Sequence, residues 1–150
     1  MSTMEADNSD DMDREVFEEV DPSGRFGRYG ELLGSGAFKK VYRGFYQQEG
    51  IEVAWNKVKL CKFIDNQKMI DRLFSEVELL RSLKHGSIMS LFDVWRDEEK
   101  NSLNFITEVC VSGDLRAYRK MHKKVSLKAV KKWCKHILKG LSYMHILKVS

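Results

Sequence analysis

The stretch Leu33-Gly34-Ser35-Gly36-Ala37-Phe38-Lys39-Lys40-Val41 sets two glycines, one residue apart, beside two adjacent lysines. At the tip of a hairpin, Gly-x-Gly leaves backbone N–H groups free to approach an anion, and lysine brings positive charge to the same place. Such a stretch suits the holding of a phosphate. Glycine pairs also serve turn geometry alone, so the reading depends on what surrounds this one. Val41 falls seven residues after Gly34, and Val53-Ala54-Trp55-Asn56 follows in the next extended segment. Glu76 lies near the apolar border of a helical segment, nine residues before His85.

These residues need a sheet to hold them. Residues 28–33 and 38–46 read as strands with a short glycine-containing link, which predicts a hairpin. Residues 51–60 alternate, with Val53, Trp55, Lys57 and Lys59 on one face and Ala54, Asn56, Val58 and Leu60 on the other. Over 66–84, Met69, Ile70, Leu73, Val77, Leu80 and Leu83 recur at helical spacing, with Gly86 where a stop is expected. Residues 90–96 and 102–108 are two further strands around a charged turn. A short helix is expected over 114–121 and a long one over 126–145. Ser126 is the expected N-cap of the long helix, and Val130, Cys134, Ile137, Leu138, Leu141 and Met144 share one of its faces. The fold class is α+β: a five-stranded antiparallel sheet with one helix against it, followed by two helices.

Charge is unevenly spread. Residues 1–21 carry nine acids and one base, net −8, while the remaining 129 residues net +12. The acidic leader reads as a disordered tail over 1–27, with Pro22 and Gly24 at its border with the folded body. A hydrophobic share of 43% is enough for a packed core and excludes a wholly disordered chain. No apolar run approaches the roughly 18 residues of a membrane-spanning helix. The acidic start has no apolar stretch of the kind a secretory signal needs. Cys61, Cys110 and Cys134 are an odd set without metal-site spacing, so they read as reduced thiols and the expected location is cytoplasmic. His85, His122, His136 and His145 share no metal spacing either. The nine lysines and arginines between residues 116 and 135 come without an aromatic stacking pattern, so they read as a solvated helix surface and not as a nucleic-acid site.

The glycine pair with Val41, the Val53-Ala54 strand and the helix glutamate together resemble the small lobe of a protein kinase. That family carries G-x-G-x-x-G-x-V and then V-A-x-K. Here Lys39 stands at the third glycine and Asn56 at the lysine. The two departures together resemble the with-no-lysine (WNK) serine/threonine kinases, in which the phosphate-binding lysine has moved to the glycine-rich strand. G-S-G-A-F-K-K-V-Y-R-G-F, I-E-V-A-W-N-K-V-K-L, F-I-T-E and S-G-D-L-R-A-Y-R-K-M-H look like that family, its plant members in particular. The resemblance implies a kinase small lobe over 28–108, then a hinge and two helices of an incomplete large lobe over 109–150. It implies ATP as ligand, with Gly34, Ser35 and Gly36 at the phosphates, and Val41 and Ala54 against the adenine. Leu33 would lie at the pocket edge, and Thr107 would guard the back. Glu108-Val109-Cys110 would be the hinge, where backbone groups of Glu108 and Cys110 meet the base. Its implied partners are protein substrates or full-length kinase relatives, without a membrane.

The physical chemistry runs the same way. Phosphoryl transfer is mostly positioning and charge neutralisation, so the phosphates need a cation. Asn56 is uncharged, and Lys57 and Lys59 lie on the opposite face of their strand. Lys39, beside the hairpin turn, can reach the cleft. Glu76 is expected opposite it, because an inward carboxylate is costly unless paired. The resemblance further implies an H-R-D-x-x-x-x-N loop and a D-F-G motif, which supply the catalytic base and the Mg²⁺ ligands. Neither motif occurs in these 150 residues. The chain is therefore expected to stop after the first long helix of the large lobe, to lack catalytic and metal-binding residues and to be inactive alone. The alternative is a non-catalytic regulatory or docking module.

Overall fold

The computed structural model describes residues 15–60, 66–110 and 113–147. Alternation along the central strands builds the sheet. β3 (Lys39–Tyr46) and β4 (Ile51–Lys59) pair antiparallel without a break, from Lys39 opposite Val58 to Tyr46 opposite Ile51. β2 (Phe26–Ser35) flanks β3, with bulges on either side of Leu32. β6 (Ser102–Thr107) flanks β4, and β5 (Leu91–Asp97) lies outside it. A two-residue strand, β1 (Glu19–Val20), adds to β2, so the order is β1-β2-β3-β4-β6-β5.

That sixth strand corrects the expected five, and it corrects the expected tail. Glu18 donates its N–H to the Arg28 carbonyl at 2.8 Å, and Phe26 is fully buried. Residues 15–27 thus belong to the folded body. Two of their acids meet cations of the sheet and its turns, Glu15 with Arg43 and Glu19 with Arg28, Lys57 and Lys100, which a local reading of charge misses. Residues 1–14 of the expected tail lie outside the described residues, as does Cys61.

The sheet curls until its two sides meet. Phe26 on β2 and Phe92 on β5 have ring centroids 6.5 Å apart, and Tyr46 lies 5.8 Å from Phe92. The inside of the curl holds Phe26, Val53, Trp55 and Ile106. A bulge in β5 brings Phe92 there: one extra residue sits between the pairs Leu91–Thr107 and Asp93–Ile106, and it reverses the facing of the strand.

On the outer face, α1 (Gln67–Leu80) covers Leu60, Val94 and Leu103 with Ile70, Leu73, Phe74 and Val77. Asn66 caps it, its side chain accepting from the Met69 N–H. Met69 and Leu80, expected on the buried stripe, are exposed. The α-helix gives way to i→i+3 bonds at Arg81, Ser82 and Leu83, and the tighter turn buries Leu83 in place of Leu80.

α2 (Leu115–Met121) is capped by Asp114, and α3 (Leu127–Ile146) by Ser126 as expected. Tyr118 meets Trp133 edge-on and joins the two helices. α3 touches the sheet lobe through Gly140, where a Cβ would come within 3.2 Å of the Ser87 carbonyl. Beside it the Tyr143 ring lies 4.9 Å from His85, and its hydroxyl accepts from the Lys84 N–H. Leu127, Ile137, Leu138, Leu141 and Ile146 remain exposed, so the apolar face foreseen for this helix is bare. Among the described residues no helix is long and apolar enough to cross a membrane.

Candidate functional site: a cleft under the glycine-rich hairpin

The outer face of β3, β4 and β6 forms the floor of a cleft of about 720 Å³. This lies within the usual range of small-ligand sites. Leu33, Gly34, Lys39, Val41, Ala54, Asn56, Thr107, Glu108, Val109 and Cys110 all line it. The period-2 argument places them there: Val41 is opposite Asn56, and Ala54 is opposite Thr107. Lys57 points the other way and binds Glu19 at 2.7 Å.

Three expected site residues are not in the lining. Ser35 pairs with Lys40 in the hairpin ladder. Gly36 donates its N–H to the Lys39 carbonyl at 2.8 Å, so that donor is used inside the hairpin and is not free for an anion. Glu76 stands on the exposed side of α1 and accepts from Arg72 at 3.0 Å. The expected Lys39–Glu76 pair is therefore not formed. An arginine one turn away satisfies the carboxylate in water, which avoids the cost of desolvating it.

Asn56 is 4% exposed and well tied. Its Nδ2 donates toward Thr107 Oγ1 at 3.1 Å and toward the carbonyls of Phe105 and Ala54 at 3.3 Å each. The side chain lies across β4 and β6, its amide held by these bonds at the cleft floor. The Lys39 ammonium approaches from β3 and stands 5.3 Å from the centroid of Phe105.

At the hinge, Glu108 donates its N–H to the Ser90 carbonyl, and its carboxylate accepts from the Ser90 N–H at 2.9 Å. The Cys110 carbonyl accepts from Gly113. Cys110 and Cys134 are free and exposed.

Sequence reasoning missed Glu31, Arg43, Glu52, Met89 and Phe105, which also line the cleft. Arg43 binds Glu15 at 2.5 Å, Glu31 at 2.6 Å and Glu52 at 3.4 Å, and its guanidinium stacks on Tyr29 at 4.0 Å. Hydrogen bonds to Glu15 and Glu31 push its pKa further up, so it stays charged throughout. Only the period-2 pattern could have flagged it, since Arg43 follows Val41 on alternate positions of one strand.

A larger groove of about 1100 Å³ runs from Glu78 and Arg81 to Glu108. Arg81 there is already bound to Glu78 and to Asp93. No group of three or more His, Cys, Asp or Glu side chains able to hold a metal occurs among the described residues.

The profile of the protein kinase domain matches residues 28–150. The chain belongs to the protein kinase family. Three similar curated proteins are WNK kinases of plants. It is 58% identical over 132 residues to "Probable serine/threonine-protein kinase WNK5" of Oryza sativa subsp. japonica, a match covering 87% of this chain and 40% of that one. It is 51% identical to "Serine/threonine-protein kinase WNK8" and 49% to "Probable serine/threonine-protein kinase WNK10", both of Arabidopsis thaliana. Each of those matches covers 89% of this chain, and 24% and 26% of the relative respectively. The chain thus spans well under half the length of these WNK kinases.

Among solved structures, the crystal structure of Rad53 1-466 in complex with AMP-PNP superposes with a TM-score of 0.72 at 25% identity. It covers 85% of this chain and 32% of that one. The sheet with one helix, followed by two more helices, is therefore a kinase small lobe and the start of a large lobe.

Proposed function

We propose that the cleft binds ATP, and that this chain is the ATP-binding portion of a WNK-type serine/threonine kinase in which Lys39 supplies the cation for the phosphates. The observation that carries the reading is the pair of fates at the two departures from the kinase pattern. Asn56, at the usual lysine position, is folded down onto Thr107, while the Lys39 ammonium enters the cleft from the glycine-rich hairpin. Val41 and Ala54 offer apolar surface to a purine. The Glu108 carbonyl and the Cys110 N–H, beside the hinge bonds of the Glu108 N–H and the Cys110 carbonyl, would meet its edge. The ATP analogue in the Rad53 structure supports the same use of the fold.

Thermal unfolding with and without ATP tests this. At 100 times the dissociation constant, a ligand adds about 2.7 kcal/mol of stability. Lys39→Ala removes the charge-assisted contact to the phosphates and is expected to cost about tenfold in affinity. Lys57→Ala lowers the starting midpoint, because Lys57 binds Glu19, but keeps the full ATP increment. The opposite pattern overturns the assignment.

These residues contain neither H-R-D-x-x-x-x-N nor D-F-G. This chain is expected to bind ATP without transferring its γ-phosphate. Transfer of labelled phosphate to a generic protein substrate would refute that. The docking-module alternative draws on the bare face of α3.

A further inference from the structure

We infer that Phe105 is the positioning residue for Lys39, a ring platform that holds the ammonium over the cleft floor where a carboxylate was expected to hold it. This deepens the proposed function and rests on Lys39 being the phosphate cation. Three strands make the arrangement. Lys39 and Val41 share a face of β3, Val41 is opposite Asn56 on β4, and Asn56 is opposite Phe105 on β6. The Lys39 stem therefore crosses β4 to reach Phe105, and its Nζ stands 5.3 Å from the ring centroid, within cation–π range.

Asn56 makes the crossing possible. Its side chain is short and drawn down by its bonds to Thr107 and the Phe105 carbonyl. A lysine at that position would place a second ammonium in the same space. Glu76 is turned away and bound to Arg72. Among the described residues no carboxylate pairs with Lys39, and the ring attracts the cation without competing for its hydrogen-bond donors. The ammonium meets an incoming phosphate already placed. An unanchored lysine would lose the freedom of its four-carbon stem at that moment.

Calorimetric titration of the full chain with ATP and, separately, with adenosine tests the inference. Phe105→Leu keeps an apolar side chain against Val94 and removes the ring. It is expected to weaken ATP about two- to fivefold and leave adenosine unchanged. Phe105→Tyr is expected to restore ATP affinity. On a Lys39→Ala background, Phe105→Leu should have no further effect on ATP. Equal losses for ATP and adenosine, or a loss that persists without Lys39, would mean that the ring only packs the pocket, and the inference falls.

A second readout needs no ligand. The Lys39 ε-methylene protons should show an upfield ring-current shift that disappears in Phe105→Leu and survives in Phe105→Tyr. Its absence in the unaltered chain overturns the contact. If that shift is present while Lys39→Ala leaves ATP affinity untouched, the reading of Lys39 as the phosphate cation fails and the contact stands apart from it.

Discussion

Trp55→Ala is expected to lower stability by about 3–5 kcal/mol, a large part of the 5–15 kcal/mol that holds a typical domain folded. Trp55 is fully buried at the centre of the curl, edge-on to Trp95 with centroids 4.9 Å apart. Truncation opens a cavity between strands that are braced from both sides and cannot collapse to fill it. A polar cost adds to this. The indole Nε1 donates to Asn104 Oδ1 at 3.0 Å, and Asn104 Nδ2 donates to Ser102 Oγ at 3.1 Å. Asn104 and Ser102 are themselves buried, so losing the indole leaves a carbonyl oxygen without water or partner.

Trp55→Phe separates the two contributions. It keeps most of the ring and drops the N–H, and is expected to cost about 1–3 kcal/mol. Urea unfolding followed by far-ultraviolet circular dichroism measures both variants. A Phe variant as stable as the parent would show that the Asn104 bond contributes nothing. Trp55 is adjacent to Asn56, so the same strand carries the core on one face and the cleft floor on the other. Damage on the core face is expected to reach ligand binding only through unfolding.

That two-faced strand is why much of the site was legible in the sequence. Strict alternation over 51–60 assigns Ala54 and Asn56 to one side and Lys57 to the other, and the pairings with β3 and β6 then bring Val41 and Thr107 alongside. What could not be read depends on contacts far apart in the chain. Phe92 joins the inner core through a bulge that the sequence does not mark. Glu76 has the helical position expected of an inward carboxylate, but an arginine four residues away on its own helix outcompetes Lys39. Phe105 looks like any aromatic in a strand, and its place beneath Lys39 follows only from the register of three strands. β1 was hidden most completely. Two residues in an acidic, sparsely apolar leader give no periodic signal, and what orders them is charge from elsewhere.

Glu19→Gln shows how much that charge contributes. Glu19 Oε2 accepts from Arg28 Nε at 2.8 Å and from Lys57 Nζ at 2.7 Å, and Oε1 lies 3.4 Å from Lys100 Nζ. The three cations come from β2, β4 and the turn after β5, so one carboxylate ties the leader to the sheet at three places. The Glu19, Arg28 and Lys57 side chains are at most 15% exposed. Removing the carboxylate leaves two crowded cations without their counter-charge. Full burial of such a group would make the loss about 3–5 kcal/mol, and solvent near Lys100 reduces the expectation to about 2 kcal/mol.

The loss must depend on pH, and its sign follows from the carboxyl itself. Burial alone would raise the Glu19 pKa, but hydrogen bonds from Lys57 and Arg28, with Lys100 behind them, outweigh burial and hold it below the ordinary glutamate value. A group whose folded pKa is lowered stabilises fully above its unfolded value, about 4.3, and loses that contribution as pH falls through the folded value. The stability gap between the parent and Glu19→Gln is therefore expected to be constant from neutral pH down to about 4.3 and to close below it. Urea midpoints of the two proteins, taken in parallel across that range, cancel every other titrating group. A gap that persists unchanged in acid would mean that Glu19 acts through shape and hydrogen bonding, with no part for its charge. A closing gap identifies the leader as a strand held in place by ion pairs.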